Sequence, residues 1–246
     1  MKFLVCVSNV PDTTTKITFT PDKKAFNTSG VQFIINPYDE IALTRALELK
    51  ETAGSGSVTV IHVGPAPNEA MIRKALAIGA DDAIRINAEA TDAFQVASLI
   101  AAAIKDEKYD LIFTGRESID YNGAQVGGML AELLGIPSVS VVTKLDLNGN
   151  EATLEREIDG GKEVLTGNLP LVVTGQKGMA EPRIPNMRGI MTARTKPLKV
   201  VEPAAIDALT VSVAFDNPPP KQAVKLVDPN NMEELVNLLH NEAKVI

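Results

Sequence analysis

The sequence predicts a doubly wound α/β fold: a mainly parallel sheet with helices on both faces, a small antiparallel extension and a C-terminal arm. Three observations predict it. Short apolar runs alternate with amphipathic stretches from residue 2 to residue 143. Gly, Pro and Asn punctuate the boundaries between them. After Thr143 the apolar pattern changes to a two-residue alternation. Strands alternating with helices in that rhythm imply crossover connections and hence parallel strands.

Residues 2–7 are a continuous apolar run, suited to a strand covered on both faces. Residues 11–32, polar and threonine-rich, read as a loop or hairpin arm. Asn36 then offers a cap, Pro37 suits a first helical position, and Asp39 and Glu40 complement the positive end of the helix dipole. That helix runs to about residue 50. Val58–Val63 reads as a strand, Asn68 to Ile78 as a helix, Ala83–Ile86 as a strand and Asp92 to Ile104 as a helix. Asp110–Thr114 is a strand, Gly123 to Leu134 a helix, and Val139–Thr143 closes the series. Ala152–Ile158, a Gly160-Gly161 turn, Glu163–Leu165 and Leu171–Thr174 are expected to form the antiparallel extension.

Residues 175–205 show little periodicity, and a loop of that length in a compact protein is usually functional or covered by a partner. Residues 206–228 look extended, and Asp228 is expected to cap a last helix starting at Pro229. The division expected is a body over 1–205, with a docking loop at about 175–196, and an arm over 206–246 too short to bury a core of its own.

Composition narrows the function. A net charge of -7 leaves no surplus of cations to neutralise phosphates, which argues against nucleic acid. Cys6 is the only cysteine, and His62 and His240 are the only histidines, so a Cys- or His-based metal site or a His-centred triad is not expected. No apolar run reaches membrane-spanning length, so no direct membrane insertion is expected, and a reducing, cytoplasmic setting fits the single thiol.

Five segments carry candidate chemistry. Gly115 through Gly128 follows a buried strand and opens a helix, at the carboxyl edge where doubly wound sheets bind ligands. Its amides and Arg116 could hold phosphate, although its glycine spacing matches neither the dinucleotide fingerprint nor a Walker loop; a plain glycine-rich turn is the blander alternative. Asn36-Pro37-Tyr38-Asp39 is either a good helix start or the lining of a nucleotide pocket. Gly64-Pro65-Ala66 ends a strand, and Arg156–Gly161 reads as a solvated hairpin. Glu181–Pro197 interleaves Met187, Ile190 and Met191 with Arg188 and other cations, which is either a solvated basic loop or an adaptable docking surface.

Taken together and in order, several segments resemble the electron-transfer flavoprotein beta subunits. They are Val10-Pro11-Asp12, Asn36-Pro37-Tyr38, Gly64-Pro65, Ala75 through Asp81, Gly115 through Gly127, Arg156 through Gly161, Leu169-Pro170 with Val172-Val173-Thr174, Glu181-Pro182-Arg183 and Ile190 through Ala193. The resemblance implies a Rossmann-like fold of the adenine-nucleotide-binding type. It implies a heterodimer whose alpha subunit holds most of an FAD, with a structural AMP buried in beta. Electrons would come from acyl-CoA and related dehydrogenases and leave to a quinone oxidoreductase.

By the same resemblance AMP would contact Cys6, Asn36, Pro37, Tyr38, Asp39, Val63, Gly115, Arg116, Glu117, Ser118, Ile119, Asp120, Tyr121, Asn122, Gly123, Ala124, Gln125 and Val126. Tyr38 matches an aromatic position that approaches the flavin. Met187, Arg188, Ile190 and Met191 fall in the segment that docks dehydrogenases, where leucine is common at position 187. Ser8 replaces a lysine usual in the family. Ala124-Gln125-Val126-Gly127 is also similar to electron-bifurcating relatives, whose beta subunit binds a second FAD and takes hydride from NADH. A stand-alone adenine-nucleotide sensor of the same fold is the third expectation.

Overall fold

The computed structural model describes residues 1–221 and 223–246. Among the described residues eleven strands form: β1 (Lys2–Cys6), β2 (Asn9–Pro11), β3 (Phe33–Ile35), β4 (Ser57–Val63), β5 (Asp82–Ile86), β6 (Leu111–Gly115), β7 (Ser138–Asn148), β8 (Glu151–Ile158), β9 (Gly161–Asn168), β10 (Leu171–Gly175) and β11 (Leu198–Val201). The helices are α1 (Pro37–Ala53), α2 (Glu69–Ile78), α3 (Ala93–Ile104), α4 (Val126–Leu134), α5 (Met187–Ala193) and α6 (Met232–Asn237). Nine strands make one sheet in the order β11-β5-β4-β1-β6-β10-β7-β8-β9, while β2 and β3 pair separately. From β11 to β7 the neighbours are parallel. The β7–β8 and β8–β9 pairs are antiparallel.

Strand side chains alternate between the two faces, and each face has its own core. Phe3 and Val5 of β1 face α1 and α2, packing with Leu43, Ile72, Leu76 and Phe113. Leu4 and Cys6 face α3 and α4, with Ile61, Ile100, Ile112 and Leu130. Burying a large apolar side chain stabilises by roughly 1.5–3 kcal/mol, so these two layers carry most of the favourable energy of the sheet.

Four expectations are corrected. Leu171–Thr174 does not join the antiparallel extension: β10 lies between β6 and β7, parallel to both. All five of its residues are buried, which only a central strand permits. Val139–Thr143 accordingly does not end the sheet, because β7 continues to Asn148 and pairs onward with β8. The stretch 175–205 is not one loop, since it contains α5 and then β11, which extends the parallel edge beside β5. The last helix starts at Met232 under an Asn231 cap, and Asp228 instead accepts from the Asn230 amide at 2.9 Å in a tight turn. Among the described residues no helix is long and apolar enough to cross a membrane.

Candidate functional site

In the sheet, β1 has β4 on one side and β6 on the other, so the order of connection reverses at β1. Doubly wound sheets bind ligands in the crevice that this reversal opens at the carboxyl ends of the strands. A cavity of ≈ 770 Å³ lies there. Its floor is made by the ends of β1 (Cys6 to Asn9), β4 (Ile61 to Val63) and β6 (Thr114, Gly115). Its sides come from the start of α3, from the loop between β6 and α4, and from Lys24 to Phe26 and Thr210 to Ser212.

The first turn of α1 holds this crevice in shape. Asp39 is 3% exposed and joins the two strand ends: its Oδ2 accepts from the Ser8 amide at 2.7 Å and its Oδ1 from the Gly115 amide at 2.8 Å. Burial pushes its carboxyl up to about 7, against the downward pull of the Ser8 and Gly115 amides and the Asn36 side chain. Asn36 makes no cap bond with its side chain. Its Nδ2 donates to the Glu117 carbonyl at 2.8 Å and its Oδ1 accepts from the Ile119 amide at 3.2 Å. The segment starts α1 as the helix-start reading expects, with Pro37 at its first position and Asp39 in its first turn, and Asp39 also lines the cavity; beyond both readings, Asn36 braces the loop after β6. Gly115 has no room for a side chain there, because a Cβ would sit 2.4 Å from Asp39 Oδ1 and 2.7 Å from Tyr38 Cβ.

The loop itself is open to solvent. Asp120 through Gln125 are exposed, and the Asn122 amide donates to the Ser118 carbonyl at 2.8 Å. Asn122 and Ala124 both adopt φ 52°, a left-handed backbone that for alanine is uncommon and costs of order 1 kcal/mol or more. Such strain persists where the surroundings or a ligand over-determine the loop. α4 starts at Val126, three residues later than Gly123, and no side chain caps it. Gln125, Val126 and Gly127 at this uncapped start line the cavity, so the free first-turn amides are available to an anion.

Three charged or polar groups have other duties. Arg116 is paired with Glu117 at 2.7 Å, and its guanidinium lies 5.3 Å from the Tyr38 ring centroid. His62 is buried and held neutral, its pKa lowered chiefly by desolvation: Nδ1 donates to the Val7 carbonyl at 2.8 Å, which leaves Nε2 to accept from Asn68 at 2.9 Å. Asn68 therefore serves His62 rather than capping α2. Burial, with the Asp39 carboxyl a smaller influence, pushes the Cys6 thiol far up, so it is an inert wall of the cavity.

Of the residues named from the sequence, Cys6, Asp39, Val63, Gly115, Arg116, Glu117, Ser118, Asp120, Tyr121, Gly123, Ala124, Gln125 and Val126 line the cavity. Asn36, Pro37, Tyr38, Ile119 and Asn122 are not part of that lining. Sequence reasoning missed Ser8, Asn9, His62, Phe26, Asp92, Thr210 and Phe215, which also line it. His62 had a local signal, a polar residue inside the apolar run of β4 just before its end. Thr210 and Phe215 had none, because only the tertiary path of the arm brings them there.

Met187, Arg188, Ile190 and Met191 lie elsewhere, on α5 against α2, and all are exposed, Met187 to 75% and Met191 to 69%. Gly64 ends β4 as expected of a strand terminator, its carbonyl accepting from Arg85 at 3.0 Å. Arg156 through Gly161 forms the β8–β9 hairpin.

A family model described as the electron transfer flavoprotein domain matches residues 24–206. The chain is 39% identical to the electron transfer flavoprotein subunit beta of Bacillus subtilis, with 100% of each covered. It is 38% identical to that of Syntrophomonas wolfei, over 100% of this chain and 98% of the relative. The subunit beta of Mus musculus is 35% identical, over 100% of this chain and 99% of its own. On the family match and these full-length relatives, the chain belongs to the electron transfer flavoprotein family, as a beta subunit.

Proposed function

We propose that the chain works as one half of a heterodimer with an electron-transfer flavoprotein alpha subunit. In this reading it holds a structural AMP in the crevice at β1, β4 and β6, and supports from one side an FAD bound mainly by the alpha subunit. Electrons arrive from acyl-CoA and related dehydrogenases and leave to a quinone oxidoreductase. The observation that carries the reading is the cavity at the switch point, closed on one side by the uncapped start of α4. Its donor set fits an adenine nucleotide: free amides at the helix start and the Ser118 hydroxyl for phosphate, apolar Val7, Ile61 and Val96 for a base.

The flavin supplies the redox chemistry when bound. The residues of this chain bind, orient and exclude water. Tyr38 is outside the cavity lining, half-buried with the Arg116 guanidinium 5.3 Å from its ring centroid; in this reading it approaches the cofactor held by the other subunit. The exposed apolar residues of α5, Met187 and Met191, and of the distal arm, Val224 and Leu226, support docking to dehydrogenases and to the alpha subunit respectively. They also disfavour the stand-alone sensor, which has no use for uncovered apolar side chains.

One observation favours a second reading, an electron-bifurcating subunit with its own FAD. The cavity volume of ≈ 770 Å³ lies toward the upper part of the range for ligand pockets, about 300–1,000 Å³. Co-expression with an alpha subunit, denaturation and chromatographic identification of the released nucleotides separate the two. One FAD and one AMP per heterodimer is the expected result. Two FAD and no AMP supports the bifurcating subunit, and a heterodimer with no nucleotide beyond a single FAD overturns the nucleotide role of this cavity.

A further inference from the structure

The cavity has one wall that comes from the far end of the chain. Thr210, Val211, Ser212 and Phe215 line it, although they lie beyond the last strand of the body in a segment without helix or strand. Side chains hold that segment in place. Asp92 divides its two oxygens between two tasks. Oδ1 accepts from the Gln95 amide at 2.7 Å and so caps α3. Oδ2 accepts from the Leu209 amide at 2.6 Å, the Thr210 amide at 2.7 Å and the Thr210 hydroxyl at 3.2 Å.

The other end of the segment is tied to the hairpin after β2. The Phe215 ring stacks on Phe19, with centroids 5.3 Å apart and planes 17° from parallel. The Phe215 amide donates to the Lys23 carbonyl at 2.8 Å, and Lys23 pairs with Asp216 at 2.5 Å. Lys24, Ala25 and Phe26 of that hairpin line the same cavity.

We infer that residues 209–216 are a closing wall of the nucleotide cavity, and that Asp92 is the positioning residue that keeps this wall shut. The inference rests on the proposed nucleotide reading. Most of what Asp92 grips is backbone amide, and charge-assisted bonds of that kind are the stronger ones. The segment makes no ladder bonds of its own, so its opening is a local event governed by the Asp92 end and the Phe19 end. A bound nucleotide then leaves no faster than the wall opens, as with other mobile covers.

The substitution Asp92→Asn isolates this role. Asparagine caps helices as well as aspartate does, so the oxygen toward Gln95 is kept. In place of Oδ2 it presents an NH2 group to two N–H donors, which breaks the latch. The measurement is exchange of the bound nucleotide in the co-expressed heterodimer against 15N-labelled AMP, or labelled FAD where FAD is what the complex carries, read by mass spectrometry.

Asp92→Asn is expected to speed exchange at least tenfold at an unchanged melting temperature. Phe215→Ala, acting at the other end, is expected to speed it as well. Asp92→Ala, which also loses the helix cap, should melt lower yet release nucleotide no faster than Asp92→Asn. Wild-type exchange in both Asp92→Asn and Phe215→Ala overturns the wall while leaving the nucleotide reading intact. Fast exchange confined to Asp92→Ala assigns the effect to the α3 cap and overturns the latch. A wild-type heterodimer without nucleotide in this cavity overturns both.

Discussion

Asp39 shows how much of the site one side chain can organise. Its two oxygens hold the amides of Ser8 and Gly115, the ends of the two strands between which the crevice opens. The placement is costly, because a buried carboxylate loses its hydration. Its carboxyl is accordingly raised to about 7 in the folded chain, against about 3.9 for an unperturbed aspartate. Between those two values the folded state keeps a proton that the unfolded chain has released. Stability from this group is therefore full below about pH 4, falls as pH rises toward 7 and levels off above it. Asp39→Asn removes the titration and is expected to flatten that part of the stability profile. It also leaves one strand-end amide without an acceptor, which costs about 1–3 kcal/mol, so the variant should be the less stable of the two at pH 5. Urea midpoints of both chains from pH 4 to 8 make the comparison, and parallel profiles would show that Asp39 does not titrate in this window.

α5 is the element whose form and purpose the sequence divides most sharply. Its anchorage is built from α2: Lys196 Nζ reaches the Leu76 carbonyl at 2.9 Å, and Arg73 holds the Ala193 and Lys196 carbonyls at 2.9 and 2.7 Å. Gly189 lets the helices meet, since a Cβ there would lie 2.3 Å from the Ala77 carbonyl oxygen. Met187→Ala should therefore leave folding and nucleotide content alone while slowing reduction by a partner dehydrogenase, roughly tenfold if Met187 is an interface hot spot. Gly189→Ala should push the whole helix off α2 and impair docking together with melting temperature. Stopped-flow reduction alongside thermal melts distinguishes them, and an unimpaired rate in Met187→Ala rejects α5 as the docking element. Met187 and Met191 stand out in the sequence by their apolar character amid cations, and both are exposed. The helix does not stand out, because a seven-residue helix shows too little periodicity to read. β10 fails for another reason. The sequence predicts a strand there but assigns it to the antiparallel extension, because its true neighbours, β6 and β7, are set by pairing across long stretches of chain that no local pattern encodes. The alternating units from β1 to α4 were legible because each carries its own period and its own punctuation.

The molecule as a whole divides its tasks along the arm. Up to Asp216 the arm is tied to its own body, through Gln95 to the Ile206 carbonyl, Asp92 to Thr210 and Phe19 to Phe215. Beyond Asp216, Val224, Leu226 and Met232 stay 79%, 88% and 50% exposed, and α6 buries no residue on this chain. Apolar side chains on a segment without a core of its own gain nothing until another surface covers them. The two parts should accordingly separate under truncation. A chain ending at Asn217 keeps the cavity wall and both cores, so it should fold with a wild-type melting transition while binding the alpha subunit at least tenfold more weakly. A chain ending at Val201 loses the wall as well, and should fail to retain nucleotide even where enough alpha subunit is present to saturate it. Sedimentation against a titrated alpha subunit gives the affinities, and mass spectrometry of the recovered complexes gives the nucleotide. Wild-type affinity in the chain ending at Asn217 would remove the distal arm from the interface. Loss of nucleotide from that same chain would instead show that the wall needs the partner to stay closed, which makes subunit assembly and nucleotide retention two readings of one equilibrium.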